Sequence, residues 1–364
     1  MHFQHRPQLA SLKPYPPGKP IEEVQREQGI SEVTKLASNE NPYGPSPLAL
    51  NALADHLHEL HLYPESGCYY LRRKLAEKLQ VAPETLFFGN GSDEIVALMT
   101  TAFLDDKTSI VCSEHTFVRY EMGAAAMGAE IRHVPLRNWC HDVDGLLAAL
   151  DDTTRMVFIA NPENPVGAAI PASEVRRLVE NLPSNVIFVL DEAYYEFARG
   201  WDEYPDSISW LGDFPNLVIT RTFSKAYGLA GLRVGYALGN PEIWNIVDRI
   251  RPPFNVSRMA QEGALAALDD TAHLERTVSG NRAGLQYFYT EFEKLGLEYV
   301  PSHANFVLVD MKRPAPAVYE SLLRHGIIVR PMGIYNLPQH LRISVGLPRE
   351  NEILVAALTQ VLHS

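Results

Sequence analysis

The sequence predicts an α/β protein of two domains: a large one with a mostly parallel central sheet flanked by helices, and a smaller α+β one. Three observations predict this. The chain has 364 residues, too many for one average core. Between residues 86 and 236, short apolar runs alternate with helical patterns, and several of the runs end in a polar residue or a glycine turn. Beyond residue 256 the pattern changes to two helical stretches followed by short strands and helices. The expected division is an N-terminal arm at 1–40 that packs with the small domain, a large domain at 41–255 and a small domain at 256–364.

The arm is rich in proline, glycine and charge, with a short helix over 21–27. Tyr15, set among prolines, is held rigidly enough to touch a site. Residues 35–47, KLASNENPYGPSP, form a turn-rich loop that includes Asn41. A helical pattern over 46–62 ends before Tyr63-Pro64, because the residue before a proline is pushed out of helical geometry. An amphipathic helix at 70–79 and a strand at 86–88 follow. Gly89-Asn90-Gly91-Ser92-Asp93-Glu94 then leads into an apolar helix at 95–103. Strand, glycine turn and helix start point free backbone N–H groups at an anion. Gly91 lets the backbone come close, and Ser92 can cap the helix and donate. The other reading of this stretch is a plain capped helix in a βα unit.

A strand at 108–112 leads into Ser113-Glu-His-Thr-Phe117-Val-Arg-Tyr120, and a strand at 155–160 into Asn161-Pro-Glu-Asn-Pro-Val-Gly167. A crossover helix is expected at 171–181. The strand at 185–190 ends in Asp191-Glu192-Ala193-Tyr194, at the carboxyl edge where parallel sheets bind ligands. Its alternative reading is a helix cap.

The strand at 217–220 delivers Thr222, Ser224 and Lys225, and Arg233 lies among Gly228, Gly231 and Gly235. A lysine amine condenses with an aldehyde to a Schiff base. Hydroxyls and a guanidinium fork hold a phosphate. An aldehyde that carries a phosphate is pyridoxal 5'-phosphate.

In the small domain, helices are expected at 257–268, 272–295, 315–325 and 350–360, with strands at 298–300, 304–310, 327–330 and 340–345. Arg330 ends one strand and Arg342 alternates with apolar residues in another. An arginine so placed is a candidate for a partly buried anion site, the alternative being a solubilising charge on an edge strand.

Composition narrows the classes. Hydrophobic content of 46% and charged content of 21% are ordinary for a globular protein, and no apolar run is long enough to cross a bilayer. The first twenty residues lack the apolar segment of a secretory leader. Cys68, Cys112 and Cys140 are scattered, with no metal or disulfide spacing, which suits a reducing cytoplasm. A formal charge of −12 argues against nucleic acid as a partner. The expectation is a cytoplasmic protein without metal, membrane or nucleic-acid partners.

The spacing S-K-x-x-x-L-A-G-x-R-x-G at 224–235 resembles the aspartate-aminotransferase-like enzymes of fold type I, which use pyridoxal 5'-phosphate. Pro14-Tyr15, Pro17-Gly18-Lys19-Pro20, residues 40–44, Tyr63-Pro64, residues 89–94 and 191–194, and residues 342–346 fall in the same order as that family's motifs. Within the class the chain looks most like the histidinol-phosphate aminotransferases. The resemblance implies exchange of an amino group between L-histidinol phosphate and 2-oxoglutarate. Relatives with similar motifs transaminate aromatic amino acids or decarboxylate threonine phosphate, and these are the alternatives.

The resemblance also implies roles. Lys225 holds the cofactor and moves the proton. Asp191 faces the pyridine nitrogen, and Tyr194 and Asn161 share the phenolic oxygen. Phe117 stacks on the ring. Gly91, Ser92, Asp93, Thr222, Ser224 and Arg233 surround the phosphate. Tyr63 reaches the phosphate of a neighbouring subunit, so a homodimer is implied. Tyr15, Asn41, Arg330 and Arg342 face the substrate, with Arg342 on its α-carboxylate and Arg330 and Tyr15 on its phosphate. The chain departs from the family pattern at His115, where a proline is usual, and at Val166, which replaces a threonine.

Overall fold

Seven runs that are mostly apolar form one sheet in the computed structural model, which describes residues 3–14, 16 and 18–363. They are β1 (Leu86–Gly89), β2 (Ser109–Ser113), β3 (Glu130–Val134), β4 (Thr154–Ala160), β5 (Ile187–Asp191), β6 (Leu217–Thr222) and β7 (Gly235–Leu238). Their order is β1-β7-β6-β5-β4-β2-β3. The pairs from β6 to β3 are parallel, and β7 is antiparallel to both of its neighbours.

Alternation along the strands sends successive side chains to opposite faces. Phe188, Leu190 and Ile219 pack into a core shared with the helices Tyr69–Leu79, Ala172–Asn181 and Arg258–Ala267. Val189 and Val218 pack the other way, against Ser92–Phe103, Arg119–Met127 and Pro241–Val247. This is the doubly covered sheet expected of parallel strands.

Register decides what the sheet edge presents. Ala160 pairs with Asp191, Asp191 with Thr220, and Gly235 with both Thr222 and Gly89. The carboxyl ends of β4, β5, β6 and β1 therefore meet along one edge. The loops that leave this edge carry most of the residues singled out in the sequence.

The small domain is an antiparallel sheet in the order Arg330–Pro331, His340–Ser344, Phe306–Asp310, Glu298–Val300, covered by Ala315–Arg324 and Pro348–His363. Thr34–Lys35 pairs in parallel with Ile327–Ile328, so the arm is stitched to this domain. The helix Ile21–Gln28 buries Val24 against Leu323 and Ile328. Tyr15 lies outside the described residues.

The boundary expected at 255/256 moves. Ala260, Ala264 and Leu274 belong to the large-domain core, whereas Phe288 and Phe292 belong to the small one. The two cores therefore part within the helix Thr271–Lys294, because its apolar face continues across both. Sequence patterning misses Arg119–Met127, rich in alanine and glycine, and the polar edge strand Glu130–Val134. No helix of the described residues is long and apolar enough to cross a membrane.

Candidate active site

A cavity of about 290 Å³ opens at the carboxyl edge of the sheet, and Lys225 lies on its wall. The lysine sits in a tight loop after β6. The Ser224 N–H donates to Thr222 Oγ1 at 3.1 Å, and the Gly228 N–H to the Lys225 carbonyl at 3.0 Å. Gly228 has φ +71°, and any side chain there would overlap the Gly44 carbonyl. The loop is thus pressed against residues 38–44. Lys225 Nζ lies 3.4 Å from the Ser38 carbonyl and 5.7 Å from the centre of the Tyr194 ring. Burial lowers its pKa from 10.5 to about 8. The positive charges of Arg342 and Arg233 act the same way, against Glu40 and Asp191.

One end of the cavity is built for an anion. Gly91, with φ +78°, precedes the helix Ser92–Phe103, whose first N–H groups have no partner within the helix. Ser92 and Asp93 line the cavity there. The Arg233 guanidinium lies directly over Gly91, so a side chain at 91 would collide with it. Arg233 Nη1 is 3.4 Å from Ser224 Oγ and 3.2 Å from the Ala230 carbonyl. Gly235 packs on the backbone at Gly91 and Ser92, where no side chain fits. Ser92 is not the cap expected from sequence. Gly91 holds that position, and the serine is the first helical residue. The Asp93 carboxylate is taken by Arg119 Nε at 2.5 Å.

The floor is Asp191, only 5% exposed. Its Oδ2 accepts from Tyr120 Oη at 2.6 Å and its Oδ1 from the Ala193 N–H at 3.0 Å. Burial raises its pKa above the usual carboxylate range, and these hydrogen bonds oppose the rise. Tyr120 is fixed in turn by stacking on Phe158 at 4.8 Å. Phe117 forms one wall, edge-on to Tyr120 at 5.6 Å. Tyr194 forms part of another. Its hydroxyl accepts from Asn39 Nδ2 at 2.9 Å, and burial pushes its pKa up to about 12.

An annex of about 110 Å³ shares Lys225, Tyr194 and Phe117 with this cavity and ends at Arg342 and Arg330. Arg342 Nη1 donates to Asn164 Oδ1 at 2.6 Å and Nη2 to the Ala37 carbonyl at 3.0 Å. Its buried Nε has no hydrogen-bond partner among the described residues. Arg330 lies directly opposite Arg342 in the antiparallel pair, and its Nη2 donates to the Pro16 carbonyl. Like charges set directly opposite each other are destabilising, and a bound anion relieves the strain.

Two expectations need correction. Asn161 does not reach the cavity. Its amide is used up by the backbone of Ile170, accepting at 2.9 Å and donating at 3.1 Å. Asn164, three residues on, lines the cavity instead. Asn41 also turns away and donates to the Ala226 carbonyl and to Thr277 Oγ1. Its neighbours Ser38 and Glu40 line the cavity in its place. Tyr63, expected at the phosphate of a neighbouring subunit, does not line its own chain's cavity; it is 79% exposed and stacked on Phe254. Tyr120 was missed outright. Nothing in Thr-Phe-Val-Arg-Tyr says that the tyrosine returns beneath Asp191.

The donor set fits pyridoxal 5'-phosphate. An amine lies between a pole of helix N–H groups and guanidinium and a buried carboxylate, and an aromatic wall flanks the space.

The family profile described as aminotransferase class I and II matches residues 31–358. The chain is 46% identical over 359 residues to histidinol-phosphate aminotransferase 2 of Pseudomonas fluorescens, covering 98% of this chain and 97% of that protein. It is 45% identical to histidinol-phosphate aminotransferase of Moorella thermoacetica, covering 98% and 92%. Among solved structures, that of histidinol-phosphate aminotransferase from Sinorhizobium meliloti in complex with pyridoxal-5'-phosphate superposes with a TM-score of 0.92. The identity is 32%, and the match covers 100% of this chain and 98% of that one.

Proposed function

We propose that this chain, which belongs to the aminotransferase class I and II family, is a pyridoxal 5'-phosphate-dependent transaminase. It exchanges an amino group between L-histidinol phosphate and 2-oxoglutarate, giving imidazole acetol phosphate and L-glutamate, a step of histidine biosynthesis. The observation that carries this reading is Lys225: a partly buried amine whose pKa is lowered to about 8, which raises its neutral fraction well above that of an ordinary lysine, set between the carboxylate of Asp191 and the Arg233–Gly91 pole. The full-length likeness to histidinol-phosphate aminotransferases supports the choice of substrate.

When bound, the cofactor supplies an aldehyde for amine exchange and a protonated ring that takes up electron density from the substrate Cα. This chain's residues do the rest. Arg233, Ser224, Ser92 and the N–H groups after Gly91 hold the phosphate. The Asp191 carboxylate would keep a proton on the ring nitrogen, and Tyr120 fixes that carboxylate. Phe117 covers a ring face. Tyr194 and Asn164, which line the cavity, would hydrogen-bond the phenolic oxygen. Lys225 Nζ would carry a proton to and from the substrate Cα as general base and acid.

Arg342 and Arg330 bind the anionic end of the substrate. For glutamate this is the α-carboxylate. Histidinol phosphate carries a phosphate ester on the corresponding side, so one arginine pair serves both partners of the exchange.

The working unit is proposed to be a cytoplasmic homodimer. Leu57, Leu60, Leu62, Tyr63 and Tyr70 form an exposed apolar strip, which supports a second copy covering it. Tyr63 would then enter the partner's phosphate pole.

The test is an absorption spectrum of the purified, cofactor-loaded protein, titrated separately with L-histidinol phosphate, L-phenylalanine and L-glutamate. Loss of the visible band at low histidinol phosphate, with phenylalanine acting only weakly, is the expected result. A response to phenylalanine alone would move the substrate and keep the transaminase. No visible band after addition of pyridoxal phosphate would remove the role given to Lys225.

A further inference from the structure

Behind the cavity lies an ion pair with no role in the scheme above. The His141 and Glu163 side chains are each 1% exposed. His141 Nε2 donates to the Ala160 carbonyl at 2.8 Å and lies 3.0 Å from Glu163 Oε2, an ion-pair contact without hydrogen-bond alignment. His141 Nδ1 lies 2.7 Å from Ser113 Oγ. On the other side, Glu163 Oε1 accepts from Thr116 Oγ1 at 3.1 Å and from the Asn164 N–H at 3.0 Å.

These contacts connect four points around the site. Ser113 ends β2 and Ala160 ends β4. Thr116 precedes Phe117, the aromatic wall. Asn164 holds Arg342. Burial alone would push the His141 ring toward neutrality. The facing carboxylate and the hydrogen bonds outweigh burial and raise its pKa above the ordinary value. A buried ion pair gives little net stability compared with apolar residues of the same size. What this one supplies is geometry. It is a rigid link between two loops that have no backbone ladder between them.

We propose that His141 and Glu163 are positioning residues for transamination, a clamp that holds the Phe117 and Asn164 loops in register around the cofactor and against Arg342. This rests on the transaminase reading. His141 acts through Glu163, and Glu163 through Thr116 and Asn164. Neither touches the reacting atoms.

The experiment uses the cofactor-loaded enzyme and four variants: His141→Gln, Glu163→Gln, Thr116→Val and Thr116→Ser. It reads kcat and KM per cofactor-loaded site, the visible circular dichroism of the bound cofactor and the Tm. The expected result for the first two is a fall in kcat of about tenfold or more, a higher KM for glutamate and an altered dichroic band. Thr116→Val cuts only the link to the Phe117 loop. It is expected to change the band and kcat with little loss of Tm, and Thr116→Ser, which keeps the hydroxyl, to recover most of the difference. The Thr116 pair decides the matter where the buried-charge variants fail to fold. Variants with kcat, KM and dichroism within about twofold of wild type, whatever their Tm, would make the pair a purely structural one and overturn the proposal. A wild type that lacks the visible band removes the transaminase reading, and this proposal with it. A wild type that has the band and variants that match it remove the proposal alone.

Discussion

Arg342 and Asn164 join the two domains at the site: Arg342 Nη1 donates to Asn164 Oδ1 over 2.6 Å. The arginine comes from a small-domain strand and the asparagine from the loop after β4. The same guanidinium holds the Ala37 carbonyl of the arm. Three parts of the chain thus converge on one planar fork, which fixes its direction before any substrate arrives.

Arg342→Lys keeps the charge and loses the fork. Charged hydrogen bonds contribute about 1.5–3 kcal/mol each. KM for L-glutamate should rise by about 10- to 100-fold, with a smaller effect on kcat, because the contact is made in both ground and transition states. Steady-state kinetics on the purified variant check this. An unchanged KM would take Arg342 off the substrate carboxylate.

Lys225 sets a pH prediction. The reactive form is the neutral amine, and burial beside Arg342 and Arg233 brings its pKa down to about 8 from 10.5. In apo-protein, the rate of reaction with pyridoxal phosphate should rise as pH increases and level off above the lowered pKa. Arg342→Gln removes one of the charges that lower it, so the midpoint should move up. Stopped-flow absorbance between pH 6 and about 10 reads both. A wild-type midpoint near the ordinary lysine value would contradict the buried environment.

Much of the site is legible in the sequence because its chemistry is local. Lys225, Ser224 and Arg233 lie on one tight loop, and Gly91 with Ser92 on one strand-to-helix turn. The large sheet is legible because strands such as Ile187–Asp191 are continuous apolar runs. What the sequence hides is which side chain of a loop turns inward. Asn161 and Asn164 share one motif, and only the fold shows that Asn161 pairs with Ile170 while Asn164 meets Arg342. Asn41 fails for the same reason, since its amide is spent on Thr277 and Ala226. Tyr120 reaches Asp191 through a helix whose alanines and glycine leave no apolar period.

Asp191→Asn separates function from stability. Burial is the first cause of the raised Asp191 pKa, so at neutral pH the ionised carboxylate costs the apo-fold stability. The folded state binds more protons than the unfolded one above the ordinary carboxylate pKa, and stability falls with rising pH through that window. Asparagine removes this cost: its Oδ1 still accepts from the Ala193 N–H, and its Nδ2 can donate to the Tyr120 hydroxyl, which turns to accept. The apo-variant should melt at or above the wild-type Tm at neutral pH, while kcat falls by about 100- to 1,000-fold, the scale of losing one electrostatic contact at a reacting centre. Calorimetry and turnover assays read the two effects separately. A variant with normal kcat would free the ring nitrogen from Asp191.

Gly91→Ala tests the phosphate pole. The residue sits at φ +78° and a Cβ would meet the Arg233 guanidinium. With ψ 163° this backbone is one that essentially only glycine adopts, so another residue there costs about 1–3 kcal/mol, and Arg233 must also move off the helix N-terminus. Cofactor affinity should fall by about tenfold or more, measured by titrating apo-protein with pyridoxal phosphate. At saturating cofactor, KM for the amino donor should stay near wild type. A shift in that KM with unchanged cofactor affinity would assign this corner to the substrate instead.

Tyr63→Phe addresses the assembly. In a single chain this ring stacks on Phe254 at 4.7 Å and leaves its hydroxyl in solvent, so removing one oxygen should cost the monomer almost nothing. In a dimer, that hydroxyl would donate to the phosphate in the partner's site, a charged hydrogen bond of about 1.5–3 kcal/mol. The variant should therefore sediment as a dimer like the wild type, melt at the same temperature without cofactor, and bind pyridoxal phosphate about tenfold or more weakly. Wild-type affinity in Tyr63→Phe would leave the exposed strip as an interface without a role in the site. A wild type that sediments as a monomer at micromolar concentration would remove the partner contact altogether, because no hydroxyl could then cross to a second site.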